Sequence, residues 1–250
     1  MVVPFALTAV FALACAIGIT DPPRAPRVPV ARQTPVAQQT PVAQQTPQAA
    51  DALAAASANP YRSSGFLWRI HAVSILLVVP QFTLSTFGLV WVVTELHWPP
   101  LAAGVLVGVA QFVGAVGRIF VGVLSDAVGS RVRPLRWVAI AAGVSMLLLA
   151  VLGVGMAGAA AVMFVIATTV VVADNGLAFT SVAEVAGSAW AGRALGAQNT
   201  GQFLAASVVG PAVGALIGLV GYPLAFAVVA LCPAVAVPLI PRAHQELDRL

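Results

Sequence analysis

Seven long apolar blocks constrain the fold of this chain more than any other feature of its sequence. A helix that spans a bilayer needs about 20 mostly apolar residues. Segments with Gly, Pro or charged residues separate the blocks, as is typical of turns. The predicted breaks include HWPP, DAVGSRVRPLR, GVGMAG, AGRALGAQNTGQ and GYP. The pattern predicts an all-α, polytopic membrane protein with seven transmembrane helices. The blocks cover residues 2–20, 66–93, 101–124, 135–154, 157–180, 200–220 and 222–241.

Charged residues are scarce: 8% of the 250 residues are charged and 60% are hydrophobic, whereas a soluble domain averages about 25% charged residues. Because so few charges cannot form a water-exposed surface, the main solvent must be lipid. The formal net charge of +4 comes from Arg without any Lys. The Arg residues lie between apolar blocks, which indicates a lipid bilayer rather than nucleic acid as the partner. Cys15 and Cys232 both lie in apolar runs, so no disulfide framework, metal site or cofactor is predicted.

Residues 21–65 differ in kind from the apolar blocks. The sequence QTPVAQ occurs twice in tandem, at 33–38 and 39–44, and such Pro/Gln-rich repeats cannot form a buried core. We expect a disordered cytoplasmic linker, with a docking site for a proline-binding domain as the functional alternative. A cleaved secretory signal is the alternative for the first block, although no basic segment precedes its apolar run. The predicted domains are an isolated transmembrane helix at 1–20, the linker at 21–65, a six-helix bundle at 66–241 and a cytoplasmic tail at 242–250.

The placement of Arg predicts the orientation of the chain. If the first block enters from outside, the segments 21–65, 125–136, 181–199 and the residues after 241 face the cytoplasm. Every Arg except Arg118 then lies within or at the edge of a cytoplasmic segment, as the positive-inside rule requires. We therefore expect the N-terminus outside, the C-terminus in the cytoplasm, and the protein in the plasma membrane, the inner membrane of a bacterium.

A charged loop follows the third block, with the sequence GVLSDAVGSRVR at 122–133. Gly122 allows close helix approach, and Gly129 suits a tight turn with positive φ. Asp126 lies at the membrane boundary, where it either pairs with Arg131 or accepts hydrogen bonds from a neighbouring helix N-terminus, and so locks two helices in one state. A plain topology-setting loop is the alternative interpretation.

This loop resembles the signature loop of the major facilitator superfamily, a family of transporters in which a Gly and an Asp are followed by a second Gly and basic residues. Gly122, Asp126, Gly129 and Arg131 match in kind. Arg131 comes one position later than usual, and Ala127 replaces the usual basic residue after Asp126. The change removes one member of the charge cluster and implies a weaker or differently partnered lock.

The resemblance covers essentially the whole chain and implies an MFS-like C-terminal bundle of six helices, preceded by the sixth helix and the central loop of the transporter. The implied activity is secondary transport of a small solute by alternating access, in which two bundles rock around a midplane site. Five helices of such a transporter are absent from this sequence, so we expect either a truncated product or a separate chain that supplies the N-terminal half. By the same resemblance, Glu184 joins the charges of the signature loop through Arg131 or Arg193; a solvated loop carboxylate is the alternative.

Two charged residues lie well inside predicted spans, away from their ends, where ionised groups mark functional sites or structural ion pairs. Arg118 lies eight residues before Asp126, about 12 Å deeper along its helix. Asp174 lies at a similar depth in the fifth block. We expect both side chains to face the bundle interior and to pair, as a substrate-anion or proton-coupling site. A structural ion pair, or snorkelling to the interface, is the alternative.

Gln81 and Gln111 lie near the middle of the second and third blocks, and both are candidates to line a cavity. Helix–helix hydrogen bonding is their alternative role. His71, near a helix start, is interpreted as an interface anchor, while His97 lies in an outer loop and His244 in the tail. An intramembrane hydrolase would need a Ser–His pair at one depth or a metal cluster, so an enzyme is not expected. The remaining rival is a non-transporting membrane protein or a truncated transporter fragment.

Overall fold

The computed structural model describes residues 59–63 and 65–242, and every regular element within those ranges is an α-helix. The predicted helix at 2–20, most of the predicted linker and the tail beyond residue 242 lie outside the described residues. The helices are α1 (Pro60–Ser63), α2 (Phe66–Thr94), α3 (Pro100–Val128), α4 (Val132–Leu152), α5 (Ala157–Val171), α6 (Asp174–Val229) and α7 (Leu231–Leu239).

Four stretches of the described chain are long and apolar enough to cross a membrane. The predicted class, an all-helical membrane-spanning protein, is therefore confirmed, whereas the count of seven spans is not. The stretches are Phe66–Thr94, Pro100–Val128, Val132–Leu152 and the 83-residue run Ala157–Leu239.

The longest run does not continue as one straight rod. Gly187 and Gly221 interrupt α6 with φ of 68° and 77°, a left-handed conformation that suits glycine because it has no Cβ. The Gln202 side chain bonds to the Asn175 side chain at 3.4 Å, although 27 residues of straight helix would separate them by about 40 Å. The chain must therefore reverse direction at Gly187, so α6 comprises a first segment, 174–186, and a second segment that begins at residue 188.

The reversal at Gly187 lies within the predicted connection at 181–199, but not at the sequence that was expected to form the break. The sequence AGRALGAQNTGQ at 191–202 was expected to be a loop because of its Gly and polar residues, but it is helical throughout. Its Ala, Arg, Leu and Gln residues are strong helix formers, and the glycine that turns the chain precedes it. The predicted breaks at HWPP, at the charged loop, at GVGMAG and at GYP do coincide with helix ends or with the interruption at Gly221.

Two apolar cores hold the bundle together, and a zone with polar side chains lies between them. Along α2 the first core takes residues from 66 to 77 and the second takes residues from 84 to 92. Two arginines bond to main-chain carbonyls at the end of the bundle that holds the first core. Arg69 Nε donates to the carbonyl of Leu239 at 2.8 Å, and Arg136 Nη2 donates to that of Ile240 at 3.2 Å. We call this end the arginine-rich end and its core the arginine-end core. The other is the distal core, where Trp91 packs edge-on against Phe226 with ring centroids 5.5 Å apart.

Candidate functional site

A cavity of about 270 Å³ opens between α2, α3 and both segments of α6. Its position corresponds to the zone between the two apolar cores. Its lining combines polar side chains with aromatic and aliphatic ones, which is a usual composition for a small-molecule site. The lining residues are Gln81, Arg118, Asn175, Asn199, Gln202, Val78, Phe82, Phe179 and Phe203. We refer to this space as the central cavity.

A chain of three side-chain amides forms one wall of the central cavity. Asn175 Nδ2 donates to Gln81 Oε1 at 2.9 Å, and Gln202 Nε2 donates to Asn175 Oδ1 at 3.4 Å. The chain thus joins α2 to the two segments of α6. A carboxamide has two N–H donors and one carbonyl acceptor, so each amide in the chain keeps hydrogen-bonding capacity beyond these two bonds.

Arg118 supplies the positive charge of the central cavity. Its Nε donates to the main-chain carbonyl of Val172 at 3.0 Å, in the interruption between α5 and α6. The bond fixes the guanidinium at the cavity wall, and within the described residues its two terminal nitrogens make no hydrogen bond or ion pair. Planar N–H groups in this arrangement suit a carboxylate or a phosphate group.

Asp174 does not form the predicted pair with Arg118. The structure joins Arg118 to a carbonyl instead, and no ion pair links the two residues within the described chain. Asp174 lies in the first turn of α6, is 2% exposed, and has no hydrogen-bond partner for either carboxylate oxygen among the described residues. Asp174 is buried in the first turn of α6, whereas Arg118 is exposed at the wall of the central cavity.

Gln111 also lies elsewhere than expected. It is exposed on α3 and takes no part in the lining of the central cavity. The buried residues of this part of α3 are Ala110 and Gly114, and one helical position turns a side chain by about 100°. Gln111 thus lies near the middle of its span, where a cavity residue was expected, but its side chain points outward from the bundle.

The charged loop between α3 and α4 closes a second polar cluster, which we call the clasp: Asp126, Arg131 and Glu184. Arg131 Nη1 bonds to the Asp126 carboxylate and to Ser125 Oγ at 3.1 Å, and Arg131 Nη2 bonds to Glu184 Oε1 at 3.2 Å. One guanidinium thus joins the end of α3 to the first segment of α6. Burial by itself would lower the pKa of Arg131, but the hydrogen bonds and charges of Asp126 and Glu184 raise it above its ordinary value.

The two glycines of the loop have different surroundings. Gly129 has φ of 63° and ends α3 in the left-handed conformation expected of it, and the Ser130 N–H returns to the Ser125 carbonyl at 3.4 Å. A Cβ at Gly122 would meet no atom within 4 Å, so the close helix approach expected there is absent. Close approach occurs instead at Gly117, where a Cβ would lie 2.8 Å from the Thr169 side chain.

A third polar cluster was missed by the sequence reasoning. His71 is 8% exposed and is not an interface anchor: its Nδ1 lies 2.7 Å from Gln198 Oε1, and its Nε2 lies 2.8 Å from the Tyr61 hydroxyl. Gln198 Nε2 donates to Ser74 Oγ at 3.0 Å. Because an amide oxygen only accepts, Nδ1 carries the proton and Nε2 of the neutral ring accepts from Tyr61.

One sequence signal could have found these amides. Gln198 and Gln202 are spaced i, i+4, so they share one face of a helix, but the segment was interpreted as a loop. Asn175 and Asn199 were likewise left out of the predicted site, although polar residues on the interior face of an apolar helix are typical of cavities or buried hydrogen bonds.

These observations define a class of protein: a polytopic helical membrane protein with a polar cavity within its bundle. The family model of the Major Facilitator Superfamily matches residues 1–209, and the chain belongs to that superfamily. The resemblance inferred from the signature loop is thereby confirmed. The protein is an integral membrane protein of a transporter family.

Two curated relatives extend this result. The chain is 40% identical over 238 residues to an uncharacterized MFS-type transporter, Rv2994, of Mycobacterium tuberculosis strain ATCC 25618 / H37Rv. It is equally similar to its counterpart MT3072 in strain CDC 1551 / Oshkosh. Each match covers 95% of this chain and 48% of the relative, so the chain spans about half the length of the curated relatives it matches. Because each relative is one longer chain, they give no support to a separately encoded second half.

Proposed function

We propose that this bundle transports a small polar solute that binds in the central cavity. The observation that carries the proposal is the lining itself, which combines the guanidinium of Arg118 with four amide side chains and with phenyl rings. Arg118 binds an anionic or strongly accepting group of the solute, and Gln81, Asn175 and Gln202 orient the remainder by hydrogen bonds. Phe82 and Phe179 contact its apolar surface.

The mechanism that we propose is alternating access. In this mechanism two bundles rock about a midplane site, and each exposes the site to one side of the membrane in turn. The described helices form one wall of that site, and a second bundle completes it. The clasp stabilises one of the two states, because Arg131 holds the end of α3 against the first segment of α6 only while these elements stay close.

Asp174 is our candidate for coupling transport to protons. Its carboxyl group is buried and lacks a hydrogen-bond partner in the described chain, and an ionised carboxylate in such a place is costly. A carboxyl group next to the cavity can gain or lose a proton as the cavity opens and closes. That exchange would link the movement of the solute to the movement of a proton.

We place the protein in the inner membrane of a bacterium, with the N-terminus outside and the arginine-rich end of the bundle toward the cytoplasm. The positive-inside rule supports this orientation. We also retain the domain organisation inferred from the sequence, with a transmembrane helix and a Pro/Gln-rich linker before the bundle. No contact described above favours a non-transporting protein or a truncated fragment over a transporter.

Counterflow into liposomes that contain the full chain tests the proposed function. The labelled probes are small organic anions, amino acids and sugars, measured for the wild-type chain, for Arg118→Gln and for Arg62→Gln. Arg62 is exposed at the arginine-rich end and lines no part of the central cavity, so it is the matched control for the loss of a positive charge.

We expect accumulation of one probe class, which Arg118→Gln lowers by about tenfold or more, the equivalent of about 1.4 kcal/mol of binding free energy. Arg62→Gln leaves the accumulation unchanged. Equal losses in both variants would contradict a specific role of Arg118, and absence of counterflow for every class would contradict transport by the chain.

A further inference from the structure

A second cavity, unrelated to the central cavity, lies at the arginine-rich end of the bundle. It has a volume of about 280 Å³ and lies between the start of α4 and the residues that follow α7. Three of its lining residues are arginines, and none is acidic. The lining residues are Val132, Arg133, Arg136, Trp137, Pro241 and Arg242. We call this space the basic pocket.

Two arginines of the basic pocket, Arg133 and Arg136, are available to an anion. Arg133 is exposed, and within the described chain its guanidinium makes no hydrogen bond or ion pair. Arg136 is anchored by one bond from Nη2 to the Ile240 carbonyl at 3.2 Å, which leaves its remaining N–H groups to a ligand. Guanidinium groups bind phosphate oxygens through paired N–H bonds, so the pocket suits a phosphate group.

An apolar groove of about 260 Å³ lies beside the basic pocket, between α3, α4 and α5. Phe120, Trp137 and Ala141 are among the residues that line it. The hydroxyl of Thr169, which also lines the groove, donates within its own helix to the Val165 carbonyl at 2.8 Å. The groove therefore offers hydrocarbon contacts with no unsatisfied hydroxyl, which suits an acyl chain.

The two sites are joined through Trp137, which lines both of them. Arg133, Trp137 and Ala141 are spaced four residues apart and so share one face of α4. Arg133 and Ala141 are about 12 Å apart along the axis of α4. Trp is the residue that prefers the boundary between headgroups and hydrocarbon, and here it stands where the charged pocket meets the apolar groove.

We propose that these joined sites bind one anionic phospholipid, with its phosphate in the basic pocket and one acyl chain in the apolar groove. Basic pockets between helices at a membrane surface are a known way to recognise anionic headgroups. Charge complementarity selects the headgroup, and the groove selects a lipid over a soluble anion. The site is separate from the central cavity, so it does not depend on which solute the bundle transports.

Lipid binding to the purified full chain tests this proposal. Native mass spectrometry and the unfolding temperature in detergent are measured with dioleoyl phosphatidylglycerol, with dioleoyl phosphatidylcholine, which has the same chains but no net charge, and with inorganic phosphate. We expect phosphatidylglycerol to bind and to raise the unfolding temperature, and the other two probes to have much weaker effects.

Three variants locate the site. Arg133→Gln should lower the affinity for phosphatidylglycerol about fivefold, the contribution of one basic residue near a membrane surface. Ala141→Phe fills the exposed groove and should also lower the affinity. Arg62→Gln removes an exposed charge from the same end of the bundle but outside the pocket, and should leave the affinity unchanged. The unfolding temperatures without lipid show whether each variant folds.

Three results would overturn the proposal. Equal binding of phosphatidylcholine would indicate a general lipid surface without headgroup selection. Equal stabilisation by phosphate alone would indicate a site for soluble anions. Equal losses in Arg62→Gln and Arg133→Gln would indicate diffuse electrostatic attraction and no defined pocket.

Discussion

The clasp and the amide chain of the central cavity both join α6 to other helices, but they use different chemistry. In the clasp, full charges meet at a helix end, where the side chains of Arg131, Asp126 and Glu184 are 24%, 66% and 31% exposed. In the central cavity, Asn175 bonds to neutral amides on both sides. Ionised groups are costly away from water, so depth along the bundle determines which groups hold the helices together.

The comparison also supports the different functions that we propose for the two clusters. Salt bridges that are partly exposed contribute about 0–1 kcal/mol each, so the clasp can form and break with little change in free energy. The amide chain lies against the space that would hold a solute, where its spare donors and acceptors can bind. The clasp is therefore suited to a change of state, and the amide chain to recognition.

The largest expected effect follows from removal of the central amide. Asn175→Leu breaks the bonds to both Gln81 and Gln202 and should lower counterflow by about tenfold, a loss of roughly 1.4 kcal/mol of binding. The matched control is Asn199→Leu, because Asn199 lines the same cavity but makes no side-chain hydrogen bond within the described residues. If the control reduces counterflow as much as Asn175→Leu, cavity polarity matters and the amide chain does not.

The next effect concerns the buried cluster around Gln198, which resembles the amide chain in chemistry but does not line the central cavity. Gln198→Leu removes the partners of both His71 and Ser74. Interhelical hydrogen bonds in membranes contribute about 0.6 kcal/mol on average, so we expect a loss of about 1 kcal/mol of stability, measured by chemical unfolding in detergent. Counterflow per folded molecule should be unchanged, and a selective loss of counterflow would show that this cluster belongs to the transport site.

A smaller effect is expected from the clasp. Arg131→Gln should change stability by less than about 1 kcal/mol, yet shift the balance between the two states by up to about fivefold. The shift is read from the rate at which a water-soluble maleimide labels Asn199→Cys in a chain that also carries Cys15→Ser and Cys232→Ser.

The clasp experiment has an internal control and a partner test. Arg62→Gln removes an exposed charge that makes no side-chain bond in the described chain, so the labelling rate should stay constant. Glu184→Gln should reproduce part of the effect of Arg131→Gln, and the double variant should show less than the sum of both. Additive changes would mean that Arg131 and Glu184 act separately.

Sequence reasoning succeeded where one residue type leaves few structural options. Hydropathy predicted a helical membrane protein, and Gly129 predicted the left-handed turn that ends α3, because only glycine adopts that φ without a Cβ clash. The direction in which a side chain points was harder to infer. Whether Asp174 pairs with Arg118 depends on where α6 begins, and whether the Gln198 segment is a loop depends on the reversal at Gly187. Both are set by packing between segments that are distant in sequence.

The smallest expected effect tests whether the direction of a side chain, and not only its depth, determines its role. Gln111 and Gln81 are the same residue type at similar depths in neighbouring helices, but Gln81 lines the central cavity and Gln111 is exposed on α3. Gln111→Leu should therefore leave counterflow unchanged and alter stability by less than about 0.5 kcal/mol, as is usual for an exposed position. Gln81→Leu is the matched comparison and should reduce counterflow, because it removes the acceptor of Asn175. If Gln111→Leu reduced counterflow as strongly as Gln81→Leu, the outward face of α3 would form part of the solute path, and the site would extend beyond the central cavity.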